Sequence, residues 1–103
     1  MPFYSAVYDY YDNEETRRKR ADLSDEHVAF IEDLLAREII LVATTWGAED
    51  PPGGQIVIEA DSTSEAREII MADPNARSGC GVVTINEWRP VAGPLVETLA
   101  AQK

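Results

Sequence analysis

One histidine and one aspartate are the residues of this sequence best suited to moving a proton. His27 is the only histidine, and it lies in residues 24–31 (SDEHVAFI), which have a helical pattern. Asp73 precedes Pro74. Because proline disfavours helical geometry at the residue before it, we expect Asp73 to end a helix. Imidazoles titrate near neutral pH, so a histidine beside a carboxylate can serve as a general base.

The positions of these two residues favour a functional role, although each also has a structural explanation. His27 is three or four residues from Phe30 and Ile31, on or beside the helix face that meets the core. If Ser24 is the N-cap, the nearby helix dipole favours the neutral imidazole that a base requires. A carboxylate at a helix C-terminus opposes the dipole, and such violations are common at functional sites. The alternatives are a hydrogen-bonded core histidine and an exposed aspartate that only ends a helix.

Four strand patterns and two helix patterns would position these side chains. Strands are predicted over residues 3–10, 39–45, 55–60 and 82–88. Helices are predicted over residues 24–37 and from a capping box at residues 62–65 to Pro74. Residues 12–20 are interpreted as an exposed connection or a frayed helical lead-in, and residues 47–54 as a loop. The order β-α-β-β-α-β predicts an α+β, ferredoxin-like fold.

Two helices cover only one face of a four-stranded sheet. Depending on register, the other face would carry side chains such as those of Phe3, Val7, Ile40, Val57 or Val83. A second copy packed sheet against sheet would cover them, so we expect a homodimer. RNA-binding modules of the same order carry basic and aromatic residues on the third strand. Residues 55–59 (QIVIE) include none, which argues against that function.

Composition excludes further classes of function. The 103 residues suffice for one domain, predicted over residues 1–91, with a tail at 92–103 that includes a short helix or stays unpacked. The net charge of −10 repels phosphate backbones, so nucleic acid is not an expected partner. The lone Cys80, interpreted as structural, excludes an internal disulfide and a cysteine-clustered metal site. The sequence has neither an apolar run of roughly 18 residues nor a signal-peptide pattern, so we expect a cytoplasmic protein without membrane association.

The basic run at residues 17–20 (RRKR) holds four of the nine lysines and arginines. Such a run is usually a solvated surface. Alternatively, one member, above all Arg20, reaches over the first helix toward an anionic substrate. The hydroxyl of Ser24, one turn from His27, could touch a ligand. Tyr8 is either a core residue or part of a pocket wall.

Five short motifs occur in an order and spacing shared with a known family. They are FYSAVY at residues 3–8, HVAF at 27–30, EADS at 59–62, ADP at 72–74 and EWRPV at 87–91. Together they resemble the YciI-like (YCII-related) family, small dimeric α+β barrel proteins akin to muconolactone isomerases. The resemblance implies a dimeric α/β barrel whose active site pairs a histidine at His27 with an aspartate at Asp73, in a cleft between helices and sheet.

Three positions depart from the family pattern. Residues 24–25 (SD) stand where arginine-proline is usual, residues 44–45 (TT) replace glycine-proline, and Asn75 replaces an aromatic residue. These changes keep the His–Asp pair and make the pocket more polar, so the substrate is expected to differ. The residues expected to bind substrate are Tyr8, Arg20, Ser24, Thr44 and Asn75.

The resemblance implies proton abstraction on small ring compounds, including lactone isomerisation and loss of chloride from chlorinated hydroxyquinols. His27 would remove a proton from carbon or from a ring hydroxyl, and Asp73 would stabilise the imidazolium. This interpretation is a lyase or isomerase that uses no metal or other cofactor. Two alternatives remain: a non-catalytic ligand-binding or regulatory barrel, and an accessory partner that docks on a larger enzyme. A heme-dependent barrel is disfavoured, because the only histidine would have to be the ligand.

Overall fold

A four-stranded antiparallel sheet in the order β2-β3-β1-β4 is the frame of the fold. The computed structural model describes residues 2–47 and 52–101. The strands are β1 (Phe3–Tyr10), β2 (Ile40–Thr45), β3 (Gly53–Glu59) and β4 (Gly81–Trp88). The helices are α1 (Glu14–Asp22), α2 (Ser24–Ala36), α3 (Thr63–Ile70), α4 (Pro74–Arg77) and α5 (Pro94–Ala101). This topology confirms the predicted α+β, ferredoxin-like fold.

Alternation along the central strand β1 gives the sheet its two faces. Tyr4, Ala6 and Tyr8 point toward the helices and are buried in one core with Leu34 of α2 and Ile70 of α3. Residues two apart on a strand share a face, so Tyr10 belongs to the same row. Tyr8 and Tyr10, near the C-terminal end of β1, therefore face the helices.

The second face carries three of the five side chains predicted there. Phe3 and Val7 alternate with the core residues of β1, and Val57 lies on the same side because it pairs with Ser5. Val42 and Val82, on this face by register, are 42% and 53% exposed. The second face therefore presents solvent-accessible apolar side chains on two strands.

The other two side chains predicted on the second face lie on the helix side. Val83 pairs with Tyr8, and Ile40 pairs with Ile58, both of which are core residues. The pairing of β2 with β3 shifts between Ile40 and Val42, and such an irregularity reverses the alternation of side chains. A pattern of apolar residues in sequence does not reveal a shift of this kind.

The first helix is a correction to the sequence interpretation, which expected a connection or a frayed lead-in over residues 12–20. Asn13 is its N-cap, with a side chain that accepts a hydrogen bond from the backbone N–H of Thr16 at 2.7 Å. Acidic residues occupy the first turn and basic residues the last turn, which complements the helix dipole. Thr16 is the one buried residue of α1, so the helix has no apolar stripe that a periodicity argument could detect.

Ser24 is not the N-cap of α2. Leu23 occupies that position without a side-chain cap, and Ser24 is the first helical residue. The Leu23 backbone N–H donates to Lys19 at 3.0 Å, and the His27 N–H donates to Leu23 at 2.9 Å. These two bonds are the last of α1 and the first of α2, so α1 directly precedes α2. Ser24 is therefore not the cap on which the prediction of a neutral His27 rested. His27 is the fourth residue of α2, so an effect of the helix dipole on its ring stays a prediction.

The capping box of α3 is confirmed, but the predicted end of the helix is not. The Glu65 N–H donates to Ser62 Oγ at 3.1 Å, while Glu65 Oε1 accepts from the Asp61 N–H at 3.1 Å. The helix ends at Ile70, before Pro74. Within the described ranges, no helix is long and apolar enough to cross a lipid bilayer.

The predicted loop at residues 47–54 is shorter than expected at its C-terminal end. Gly53 and Gly54 belong to β3, and residues 48–51 lie outside the described residues. A Cβ atom on Gly53 would lie 1.9 Å from the carbonyl oxygen of Tyr8. Glycine is required at this position because β1 and β3 approach each other too closely for a side chain.

Candidate active site

Asp73 is fully buried and is the centre of a hydrogen-bonded cluster. Its Oδ2 accepts the Tyr8 hydroxyl at 2.7 Å, and its Oδ1 accepts the backbone N–H of Asn75 at 3.0 Å. The same Oδ1 lies 2.8 Å from Nδ1 of His27. A buried carboxylate needs hydrogen-bond partners, and two donors and a ring nitrogen of His27 converge on this one. The structure thus brings the predicted His–Asp pair into contact, while its catalytic role stays a prediction.

The local structure that holds Asp73 differs from the predicted one. Asp73 is the N-cap of the four-residue helix α4, with Pro74 at the first helical position. Asp-Pro is therefore a helix start here, an arrangement that proline favours because its missing N–H would be unpaired anyway. The carboxylate does not oppose a helix dipole, so the argument that used this violation as a sign of function is wrong.

The contacts of Asp73 assign the tautomer of the His27 ring. Tyr8 and the Asn75 N–H are both donors, which leaves the carboxylate to accept from Nδ1 of the imidazole as well. In the neutral ring a proton on Nδ1 leaves a lone pair on Nε2. The His27 side chain is 28% exposed and lines a cavity. Asp73 therefore holds the ring through Nδ1, and the imidazole can accept a proton at Nε2.

Two tyrosines at the end of β1 stay protonated. Burial raises the pKa of Tyr8, and the negative charge of Asp73, which accepts its hydrogen bond, raises it further. Burial also raises the pKa of Tyr10, partly offset by the hydrogen bond from Asn75, while Asp73 raises it and Arg20 lowers it. Tyr8 consequently remains a hydrogen-bond donor to the carboxylate at neutral pH.

A cavity of about 560 Å³ lies beside this cluster, within the range of small-ligand sites. Its wall comes from α1, α2, the start of α4 and the ends of β1, β2 and β3. The lining residues are Tyr8, Tyr10, Arg17, Arg20, Ala21, Ser24, His27, Ile31, Ala43, Thr44, Thr45, Gly53, Gly54, Gln55, Ile56 and Asn75. All five residues expected to bind substrate are among them, and Asp73 lies behind the wall.

Thr44 is the weakest of the five as a ligand contact. It pairs with Gln55, and the register of β2 and β3 assigns this pair to the second face of the sheet. Ser24, by contrast, is in the first turn of α2, three residues before His27. Substrate binding by these residues remains a prediction.

The sequence interpretation missed Tyr10, which lines the cavity and connects two of the predicted residues. The guanidinium carbon of Arg20 lies 3.9 Å from the centroid of the Tyr10 ring, and Asn75 Nδ2 donates to the Tyr10 hydroxyl at 3.3 Å. The signal was available, because Tyr10 is two residues from Tyr8 on the same strand and therefore shares its face.

The family model of the YCII-related domain matches residues 3–89. The chain belongs to this family. A relative of the YCII-related chain is the "Uncharacterized protein YjpA" of Bacillus subtilis (strain 168). The two are 41% identical over 70 residues, which cover 64% of this chain and 80% of the relative.

Two solved structures are similar to the YCII-related chain. One is 5-chloro-2-hydroxyhydroquinone dehydrochlorinase from Burkholderia phenoliruptrix AC1100, in complex with 2,5-dihydroxybenzoquinone. It has a TM-score of 0.66 and 22% identity, and the match covers 84% of this chain and 93% of that one. At this identity the likeness shows the fold alone. The other is a dimeric ferredoxin-like protein from an uncultured marine organism. The match covers 89% of this chain and 94% of that one, with 14% identity and a TM-score of 0.41.

Other reactive side chains of the YCII-related chain lie apart from this cluster. Cys80 is buried and free, with its Sγ 3.0 Å from Ser78 Oγ. Among the residues that the structure describes, no group of three or more His, Cys, Asp or Glu side chains is placed to hold a metal ion. The His27–Asp73 pair is therefore the candidate centre for chemistry.

Proposed function

We propose that this YCII-related chain is a small-molecule enzyme in which His27 acts as a general base on a ring compound. The observation that supports the proposal is the 2.8 Å contact of His27 Nδ1 with the buried Asp73, which leaves Nε2 as the basic nitrogen of a ring that lines the cavity. Asp73 orients the ring and stabilises the imidazolium that forms when the base takes a proton. Such a base typically contributes a rate factor of about 10²–10⁴.

The reaction that we propose first is dehydrochlorination of a chlorinated hydroxyquinol, the reaction for which the similar Burkholderia protein is named. The ring first takes the keto form in which the carbon that bears chlorine has gained a proton. His27 then removes a proton from a hydroxyl group. The oxygen electron pair becomes a carbonyl, the ring electrons shift, and the C–Cl bonding pair leaves with chloride. The net loss is one proton and one chloride, and the product is a quinone.

The same base supports isomerisation of an unsaturated lactone. His27 would remove a proton from a ring carbon next to the conjugated system, and its imidazolium would return that proton to another carbon. The double bond moves and nothing is lost. Chloride release and quinone absorbance report the first reaction, while a shift in ultraviolet absorbance without chloride reports the second.

The test compares turnover of a panel of chlorinated hydroxyquinols and unsaturated lactones by wild type and three variants. His27→Asn keeps an N–H donor near the position of Nδ1 but has no base, so we expect kcat to fall about 10²–10⁴-fold. Asp73→Asn removes the charge that stabilises the imidazolium and should also lower kcat. Asp33→Asn is the matched control, because Asp33 is exposed on α2 and pairs with Arg37.

The outcomes separate the proposal from its alternatives. Unchanged turnover in both His27→Asn and Asp73→Asn would rule out the proposed chemistry. If panel compounds raise the melting temperature of wild type without forming product, the protein is a ligand-binding or regulatory barrel. If none binds and the protein co-purifies with a larger enzyme, the accessory function is correct.

We also propose that the chain forms a homodimer through the second face of its sheet. Val42 and Val82 leave apolar surface on two strands of this face. Trp88 packs edge-on against Phe3 there, with ring centroids 6.0 Å apart. A second copy of the face, related by a twofold axis, would cover this surface.

A further inference from the structure

A second polar group lies on the cavity wall beside the His27–Asp73 pair. It consists of Tyr10 from the end of β1, Arg20 from α1 and Asn75 from α4. The Arg20 guanidinium lies over the Tyr10 ring at 3.9 Å, and Asn75 Nδ2 donates to the Tyr10 hydroxyl at 3.3 Å. Because the backbone N–H of Asn75 also donates to Asp73, the group has a fixed position relative to the base.

The Tyr10 hydroxyl is oriented as a donor. Its oxygen accepts from Asn75, and its own proton meets no acceptor among residues 2–47 and 52–99. Burial raises the pKa of Tyr10, with the charge of Asp73 adding to the effect, so the proton is present at neutral pH. Asn75 is 7% exposed, its Nδ2 donates to Tyr10, and its buried Oδ1 has no hydrogen-bond partner among the described residues. With this bond accepted, the Tyr10 hydroxyl can donate its proton to a ligand in the cavity.

The charged residues of the cavity wall also favour binding of a negatively charged group. The chain has a net charge of −10, yet no aspartate or glutamate is among the described residues that line the cavity. Arg17, which pairs with Asp12 at 2.8 Å, and Arg20 both line it. A guanidinium and an O–H donor on a partly desolvated wall are well suited to stabilising a negatively charged oxygen.

We propose that the Tyr10 hydroxyl and the Arg20 guanidinium bind an anionic oxygen of the substrate, a phenolate or a carboxylate, and that Asn75 is the positioning residue for Tyr10. The proposal deepens the proposed function, because the bound oxygen belongs to the ring on which His27 acts. Charge that develops when His27 removes a proton would be stabilised by the same two groups.

The experiment measures binding of 4-nitrophenol, whose phenolate form is coloured, to wild type and to the His27→Asn variant. A site that prefers the phenolate lowers the apparent pKa of the bound dye. We expect Tyr10→Phe and Arg20→Gln each to weaken phenolate binding about 10-fold or more, with little effect on the neutral phenol. Asn75→Ala should raise the apparent pKa of the bound dye toward that of free dye, because the Tyr10 hydroxyl loses its orientation.

Matched controls are Tyr11→Phe, next to Tyr10 and 50% exposed, and Arg18→Gln, whose exposed side chain pairs with Glu14 outside the cavity. Both should bind the dye as wild type does. Competition by benzoate and by pentafluorophenol, both ionised at neutral pH, distinguishes the two sources of the oxygen: stronger displacement by benzoate identifies a carboxylate, and stronger displacement by pentafluorophenol identifies a phenolate.

The proposal is wrong if wild type shows no preference for the coloured form, or if Tyr10→Phe and Arg20→Gln keep that preference. This readout needs no turnover, so it is independent of the base. Normal dye binding together with unchanged turnover in both His27→Asn and Asp73→Asn would overturn the proposed function and leave the anion subsite standing.

Discussion

Tyr8→Phe tests whether the buried carboxylate of Asp73 depends on the Tyr8 hydroxyl. The substitution removes one oxygen atom and its 2.7 Å bond to Asp73 Oδ2, in a place where Tyr8 is 2% and Asp73 0% exposed. Since water cannot replace the lost donor there, we expect the full cost of a hydrogen bond to a charged group, about 1.5–3 kcal/mol. For a domain of this size a loss of about 2 kcal/mol lowers Tm by roughly 8–16 °C.

Tyr8→Phe should also change how the free energy of unfolding depends on pH in the alkaline range. The native state holds the Tyr8 proton because burial and Asp73 raise its pKa, whereas the unfolded chain releases it above about pH 10. Above that pH the native state binds more protons than the unfolded state, so the free energy of unfolding falls as pH rises. Tyr8 contributes a slope of up to about 1.4 kcal/mol per pH unit, and Tyr8→Phe should remove it.

The assay is urea unfolding followed by circular dichroism at neutral pH and at a series of values from about pH 9 to about pH 11. Tyr4→Phe is the matched control, because Tyr4 is on the same strand and face but no side-chain hydrogen bond of its hydroxyl occurs among the described residues. We expect it to cost less stability than Tyr8→Phe, because no hydrogen bond to a charged group is lost. If Tyr8→Phe matches wild type in both the neutral free energy and the alkaline slope, then Tyr8 does not stabilise the buried carboxylate.

Three further predictions concern the frame of the site. Leu34→Ala, at 1% exposure, should cost about 2–5 kcal/mol in urea unfolding, whereas Leu35→Ala, at 58% exposure, should cost far less; equal losses would contradict the packing of α2. Gly53→Ala should lower Tm and disturb β1–β3 pairing, because its Cβ would meet the Tyr8 carbonyl; an unchanged amide hydrogen-exchange pattern would refute this. Val82→Glu should shift the sedimentation coefficient from dimer to monomer, and a persistent dimer would exclude the second face as the interface.

The strands and α2 could be predicted from the sequence because their side chains repeat with the period of the element. Tyr4, Ala6 and Tyr8 alternate along β1, and the apolar residues of α2 follow a helical period. The helix α1 escaped prediction because Thr16 is its one buried residue. Its signals were the Asn13 cap and the charge order along the helix, which a search for apolar stripes overlooks.

The two central residues of the site could be predicted from their types, but the geometry that holds them could not. His27 and Asp73 meet at 2.8 Å, although the helix terminus predicted beside each of them was wrong. Ser24 does not cap α2, and Asp73 starts a helix. The partners of a buried group are long-range contacts: Tyr8 is 65 residues from Asp73 in sequence. The spacing of residues along the chain does not indicate such a contact.

The corrected position of Asp73 explains how a charged carboxylate is held in the core. At an N-cap, the turn that begins α4 supplies the Asn75 N–H as a donor without any side chain. Tyr8 satisfies the second oxygen from the sheet, and the remaining acceptor capacity faces His27 on α2. Sheet, α4 and α2 are thus joined at one carboxylate, so the contact that orients the imidazole also fixes the packing of the helices. A substitution at Asp73 should therefore lower stability and turnover together, whereas His27→Asn, which keeps a donor for Asp73, should separate the two.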